Sequence, residues 1–209
     1  RRRATRPCRV EWLEDRTLLC NPGELDLTFD SDGKVTTDFG GTDGSGEYAA
    51  GVAIQSDGRI VAAGKTTSAG SGKFAVARYN SNGGLDSTFG SGGKVTTSLS
   101  NNGSSEAWDV LIQSDGKLVA VGSTRSSFYG PDDFALVRYN SNGTLDNSFG
   151  SKGKVTTNFS GNSDDEVRAA AMQPDGKIVV VGITGSSLAV ARYKPNGTLD
   201  TSFDGDGKL

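Results

Sequence analysis

No histidine occurs anywhere in the 209 residues. That absence excludes Ser-His-Asp and Cys-His catalysis, His-ligated zinc and imidazole-based pH switching. Cysteine is almost as scarce. The two present, Cys8 and Cys20, both lie near the N-terminus, so the rest of the chain holds neither a disulfide nor a thiolate metal site. Two cysteines alone do not fix the redox compartment. No run reaches the roughly 18 apolar residues that a membrane-spanning helix needs, so no transmembrane segment is expected. A basic face is missing too. The net charge is −3. Residues 1–20 carry six arginines against Glu11, Glu14 and Asp15, a surplus of +3, which leaves −6 on the remainder. A mildly acidic body argues against nucleic-acid binding.

Turn-forming residues are abundant. Thirty glycines, with many Ser, Thr, Asn and Asp, favour many short strands over helices. Four blocks recur along the chain. QSDGRIVAAG at 55–64 returns as QSDGKLVAVG at 113–122 and QPDGKIVVVG at 173–182. FAVARYN at 74–80 returns as FALVRYN at 134–140 and LAVARYK at 188–194. The LDLTF pattern of 25–29 recurs at 85–89, 145–149 and 199–203, and GKVTT stands at 33–37, 93–97 and 153–157.

Each unit contains four strand-like runs. In the middle unit, AWDVLIQ (107–113) precedes the tight turn Ser114-Asp115-Gly116, and KLVAVGS (117–123) follows. Asp-Gly supplies the positive φ that a short hairpin turn requires. Phe134 to Tyr139 alternates with period two, the mark of a strand. After an Asn-Gly turn, Lys154 to Phe159 is Thr-rich and edge-like. Four sequential antiparallel strands repeated at fixed spacing make a β-propeller blade; an open stack of β-hairpins gives the same local signals. The expected fold is all-β: an N-terminal segment (1–24), then propeller repeats (25–209). These comprise an outer strand (33–39), a blade (48–99), a second blade (107–159) and an incomplete blade (167–209). The Ala-rich runs at 49–55, 107–113 and 167–173 suit the crowded inner strand. Ala49, Val52, Ile54, Ile60, Val61, Phe74, Val76 and their counterparts are the expected core. A chain that starts on Arg and stops inside a strand reads as a piece of a longer repeat protein.

The combination QPDGKIVV-G, FAVARYN, G-LD-SFG and GKVTT resembles the delta-60 repeat family, bacterial β-propeller repeats of unknown function. The resemblance covers residues 25–209. It implies a large secreted or cell-surface protein and brings no catalytic residues. Arg9 to Leu19 (RVEWLEDRTLL) resembles the LEPR-xLL segment near the start of planctomycete surface proteins, with Asp15 in place of Pro, and implies an envelope or extracellular setting. Read from its residues alone, the segment is either a targeting sequence or a basic tail.

Most tempting side chains recur in every unit, which marks them as architectural. Asp57, Asp115 and Asp175 each precede Gly in a hairpin turn, where Asp bonds its own backbone. Arg78, Arg138 and Arg192 precede Asp86, Asp146 and Asp200 by eight residues, a spacing read as one charge-assisted pair per unit. Asp30-Ser31-Asp32-Gly33 and Asp204-Gly205-Asp206-Gly207 resemble calcium-loop fragments. They lack the further oxygens of an EF-hand, so no cofactor is expected, with calcium as the alternative.

What varies is the set of connections at the other end of the blades: 40–47, 66–73, 100–106, 124–133, 160–166 and 184–187. Binding residues concentrate on variable loops of a rigid scaffold. The candidate binding residues are therefore Phe128, Tyr129, Asp132, Asp133, Trp108, Glu106, Asp164, Asp165 and Glu166, a weakly acidic face for a cation, a sugar or a basic protein surface. The function expected is a non-catalytic interaction or adhesion scaffold whose partner is a protein or a glycan, alongside further repeats of the same chain. Two alternatives remain: a calcium-dependent structural module, and a lyase or glycosidase that pairs Asp132 or Asp133 with Asp165 or Glu166.

Overall fold

The computed structural model describes residues 24–40, 46–68, 70–100 and 102–209. Both cysteines, the arginine-rich start and residues 41–45 of the first variable connection lie outside the described residues. Regular structure within them is entirely β. The first sheet comprises β1 (Tyr48–Ile54), β2 (Ile60–Ser68), β3 (Ser71–Tyr79) and β4 (Lys94–Thr97). The second comprises β5 (Ser105–Ile112), β6 (Leu118–Arg125), β7 (Asp132–Tyr139) and β8 (Lys154–Thr157). The third comprises β9 (Asp165–Met172), β10 (Ile178–Thr184) and β11 (Ser187–Tyr193). Each sheet is antiparallel, with its strands in sequential order. Val190 and Leu209 exchange main-chain hydrogen bonds of 2.7 and 2.8 Å, so the chain end begins to pair where β4 and β8 pair in the other sheets. These are the blades of a β-propeller.

The inner strands carry the closest approach. β1 packs on β5, and β5 on β9. A Cβ added to Gly51 would lie 2.6 Å from the Asp109 Cα, so a side chain there would force the two blades apart. Each inner strand also carries a bulge or register shift near its start. It sets one carbonyl against a glycine of the second strand: Tyr48 O on Gly64, Glu106 O on Gly122 and Glu166 O on Gly182. No side chain fits there, which explains the glycine that closes each QSDG block.

Two apolar layers join the three sheets. Val61, Phe74, Val76 and Phe89 pack with Leu118, Ala120 and Val137 between the first and second. Val119, Phe134, Leu136 and Phe149 pack with Ile178, Val180 and Tyr193 between the second and third. Full burial of each large side chain is worth about 1.5–3 kcal/mol. Polar clamps repeat with the same geometry. The Tyr139 hydroxyl donates to Thr97 Oγ1 (2.7 Å), and the Tyr193 hydroxyl to Thr157 Oγ1 (2.8 Å). Gly90 N donates to Asn142 O (2.8 Å), and Gly150 N to Asn196 O (2.9 Å).

Three expectations need correction. Among the described residues, 33–39 form no ladder with a neighbouring strand. They still occupy an outer-strand position: Thr37 Oγ1 lies 2.7 Å from the Tyr79 hydroxyl, and Asp30 N donates to Asn82 O at 2.7 Å. Val52 and Ile54 are each 67% exposed, and Ala49 is exposed too. The face of β1 that would meet a preceding blade has no such neighbour among the described residues. Finally, strands run into the edges of several variable connections. β6 runs to Arg125 and β7 starts at Asp132, because an Arg125–Asp132 ion pair of 2.8 Å closes the ladder across the hairpin. β2 and β3 likewise extend to Ser68 and from Ser71.

Candidate functional site

The β6–β7 hairpin places two aromatic rings in solvent. Tyr129 is 95% exposed and Phe128 69%. They pack on each other edge to face, with centroids 5.0 Å apart. Their hairpin stem is the ladder that ends at Arg125 and Asp132, so a short, tied turn holds the pair.

Around this tip the acidic residues are engaged with protein partners. Asp132 accepts from Arg125 Nε and Nη2 (3.1 and 2.8 Å), and its main-chain N donates to Asp164 Oδ1 (3.1 Å). Burial raises the Asp132 pKa. Arg125 opposes that rise, while the nearby Asp164 and Glu106 charges add to it, and the net shift is upward. Asp133 accepts from Asn158 Nδ2 at 2.7 Å. Glu106 accepts from the Tyr48 hydroxyl (2.7 Å) and from Lys65 Nζ (3.3 Å); burial first, then Glu106, pushes the Tyr48 pKa up. Glu166 pairs with Arg168 at 2.7 Å.

Asp165 is wholly buried. Its Oδ2 accepts from Phe159 N at 2.7 Å, and its Oδ1 has no partner among the described residues. Trp108 is half-buried against the second apolar layer, 6.3 Å from the Tyr48 ring, and its buried Nε1 has no hydrogen-bond partner among the described residues. Thus Asp132, Asp164 and Glu106 cluster behind the aromatic tip, whereas Trp108, Asp165 and Glu166 face other neighbours. No group of three or more carboxylates converges on a metal-sized space among the described residues. None of Asp132, Asp133, Asp165 and Glu166 lines any of three clefts found among the described residues.

The recurring pairs are built alike. Arg78 Nε donates to Asp86 Oδ2 at 2.8 Å, Arg138 to Asp146 at 2.9 Å and Arg192 to Asp200 at 2.9 Å. Each guanidinium lies over the phenyl ring that ends the LD–F block, 4.6–4.9 Å from its centroid. Two of them also reach the next blade, Arg78 Nη1 to Ser141 O (2.6 Å) and Arg138 Nη1 to Pro195 O (2.5 Å). In the turns, Asp57, Asp115 and Asp175 accept from the main-chain N of residues 59, 117 and 177 at 3.0–3.2 Å. Asp32 and Asp206, in the calcium-like stretches, do the same for Lys34 N and Lys208 N, at 2.9 and 2.8 Å.

Sequence reasoning missed one feature. A cleft of about 650 Å³ opens at the Asp-Gly turn end of the blades, between the first and second sheets. Gln55, Arg59, Arg78, Ser114 and Ser141 line it. The available signal was a departure in the third unit, where Pro174 and Pro195 stand in place of Ser114 and Ser141.

Comparison with curated proteins finds no match. Residues 55–89, 113–149 and 173–203 each match the family described as Domain of unknown function (DUF5122) beta-propeller. The three matched stretches run from the Asp-Gly turn through the Arg–Asp pair of one blade apiece, so the repeats of this chain are those of a β-propeller repeat family of unknown function.

Proposed function

We propose that the chain is a non-catalytic interaction scaffold of a secreted or cell-surface protein, and that it engages a partner protein or glycan through the Phe128–Tyr129 tip. The exposed aromatic pair carries this reading. Large apolar surface left in water on a rigid hairpin is a binding feature more often than a packing one, and aromatic rings supply contact area at low entropic cost. Asp132, Asp164 and Glu106 give the surrounding surface an acidic bias that suits a basic protein surface.

The extracellular setting rests on the delta-60 and LEPR-xLL resemblances. Fusing residues 1–24 to a reporter tests it; a reporter retained wholly in the cytoplasm refutes it. The binding reading is tested by screening the chain and its Phe128→Ala/Tyr129→Ala variant against a glycan array and lysine-rich peptides. The expected result is binding by the parent that the variant loses. Equal binding by both would refute the tip as the site. Chelation by EDTA should leave the melting temperature unchanged; a fall would favour the calcium-dependent module instead.

A further inference from the structure

The cleft between the first and second sheets lies at the opposite end of the blades from the aromatic tip, and its volume of about 650 Å³ is that of a small-molecule site. Its charges are spent internally. Arg59 is held by Asp57 (2.6 Å) and Asp86 (3.0 Å). Arg78 donates to Asp86, Thr88 Oγ1 and Ser141 O. No uncompensated cation remains to fix an anion. What the cleft offers is neutral: the hydroxyls of Ser114 and Ser141, which have no side-chain hydrogen bond among the described residues, and the amide of Gln55, whose Oε1 is buried without a partner. Ile112 adds a half-buried apolar wall.

The equivalent groove between the second and third sheets is lined differently. There Pro174 and Pro195 replace the two hydroxyls, and Gln113, the counterpart of Gln55, accepts from Arg138 Nη1 at 3.2 Å. Gln173 Oε1 is also unpartnered, so an orphan amide alone does not distinguish the groove; the paired hydroxyls do. Solvent-exposed hydroxyls and an amide lining one cleft beside an apolar wall match the alternating O–H and C–H surface of a sugar.

We propose that the groove between the first and second sheets binds a neutral saccharide unit, a site separate from the Phe128–Tyr129 tip. Saturation-transfer NMR with a panel of neutral mono- and disaccharides at millimolar concentration tests it. At least one sugar should give transfer with the parent chain. Ser114→Pro/Ser141→Pro copies the third-unit residues into positions where the fold already accepts them. It should weaken that binding about thirtyfold, two lost hydrogen bonds at roughly 1 kcal/mol each, without lowering the melting temperature. Gln55→Leu guards against a proline variant that fails to fold. It should weaken binding severalfold and leave the melting temperature unchanged or raised, because it removes an orphan polar group. Phe128→Ala/Tyr129→Ala should bind the sugar like the parent, so loss of one site does not mimic loss of the other. Transfer from no sugar in the panel, or undiminished binding by both groove variants, would overturn the proposal.

Discussion

Replacing Arg138 by Ala should cost about 3–4 kcal/mol of stability, and replacing Arg192 by Ala only about 1–2 kcal/mol. The two arginines occupy the same position in successive blades. Both bond their aspartate at 2.9 Å, a serine hydroxyl at 3.1 Å and a phenyl face. Arg138 is 6% exposed and adds two acceptors, Pro195 O of the next blade and Gln113 Oε1. Arg192, with 20% of its side chain exposed, has no carbonyl acceptor among the described residues. Removing one partner of a buried pair costs about 3–5 kcal/mol, because the other charge is left uncompensated. Lys117 Nζ remains 3.1 Å from Asp146, which places Arg138→Ala at the lower end of that range. The difference between the variants then reports the contacts to Pro195 and Gln113 together with the deeper burial of Arg138. Urea unfolding followed by both circular dichroism and tryptophan fluorescence measures it, and coincident transitions check that one free energy describes a repeat array. Arg138→Ala within about 0.5 kcal/mol of the parent, the scale of ordinary surface substitutions, would refute the reasoning. So would an equal cost for Arg192→Ala, since the inter-blade bond would then contribute nothing.

Stability should fall in acid. For Asp86 and Asp146, burial pushes the carboxyl pKa up, but hydrogen bonds from Thr88 or Ser148 and the neighbouring cations outweigh it and the net shift is downward; for Asp200, the Ser202 hydroxyl leads and the pKa is held at about 2. A depressed folded pKa stabilises the fold above the unfolded value near 3.9 and ceases to as pH falls through the folded value. Melting temperature should therefore drop between about pH 4 and pH 2, and a flat profile there would contradict the pairing. Gly122→Ala should prevent or severely weaken folding, since its Cβ would collide with Glu106 O. Gly116→Ala, at φ +79 with open space around it, should cost only about 1 kcal/mol; similar melting temperatures for the two would overturn the bulge argument. Tyr139→Phe should lose about 1 kcal/mol or more by leaving buried Thr97 Oγ1 without its donor. Tyr79→Phe should lose less, because its Thr37 contact is only partly buried, and chemical denaturation ranks the pair.

The repeat made the blades legible. Turn residues fix where a hairpin must close, and three copies of Asp-Gly and Asn-Gly repeat that statement at constant spacing. The Arg–Asp spacing of eight was legible for the same reason. Burial was less so, because it depends on what stands beside a strand. Val61 and Val52 are both β-branched and both belong to strand patterns. Val61 has the second sheet against it, while Val52 faces the side on which no described blade lies. Loop boundaries were misread because the connections were placed by their variation between units, and Gly and Asp within them are depleted in strands. Cross-strand pairing overrode that preference, through Arg125–Asp132 at one hairpin and the Thr66–Lys73 and Thr67–Gly72 register at another.

Repetition identifies architecture only where every copy has the same surroundings. The bonds of Arg78 and Arg138 to their own aspartate and to the carbonyl of the following blade satisfy that condition. Gln55 and Gln113 do not. They are the same residue at the same place in the repeat, yet Gln113 Oε1 accepts from Arg138 while Gln55 Oε1 has no partner. The residues of the following blade differ as well: Ser114 and Ser141 line the cleft beside Gln55, and Pro174 and Pro195 stand at the corresponding positions of the third unit. An identical side chain is thus structural in one groove and an unmet acceptor in the other. The end of the propeller with the most uniform turns holds a cleft of small-molecule size, and the end with the most variable sequence has most of its carboxylates tied to protein partners while the Phe128–Tyr129 pair stands in solvent.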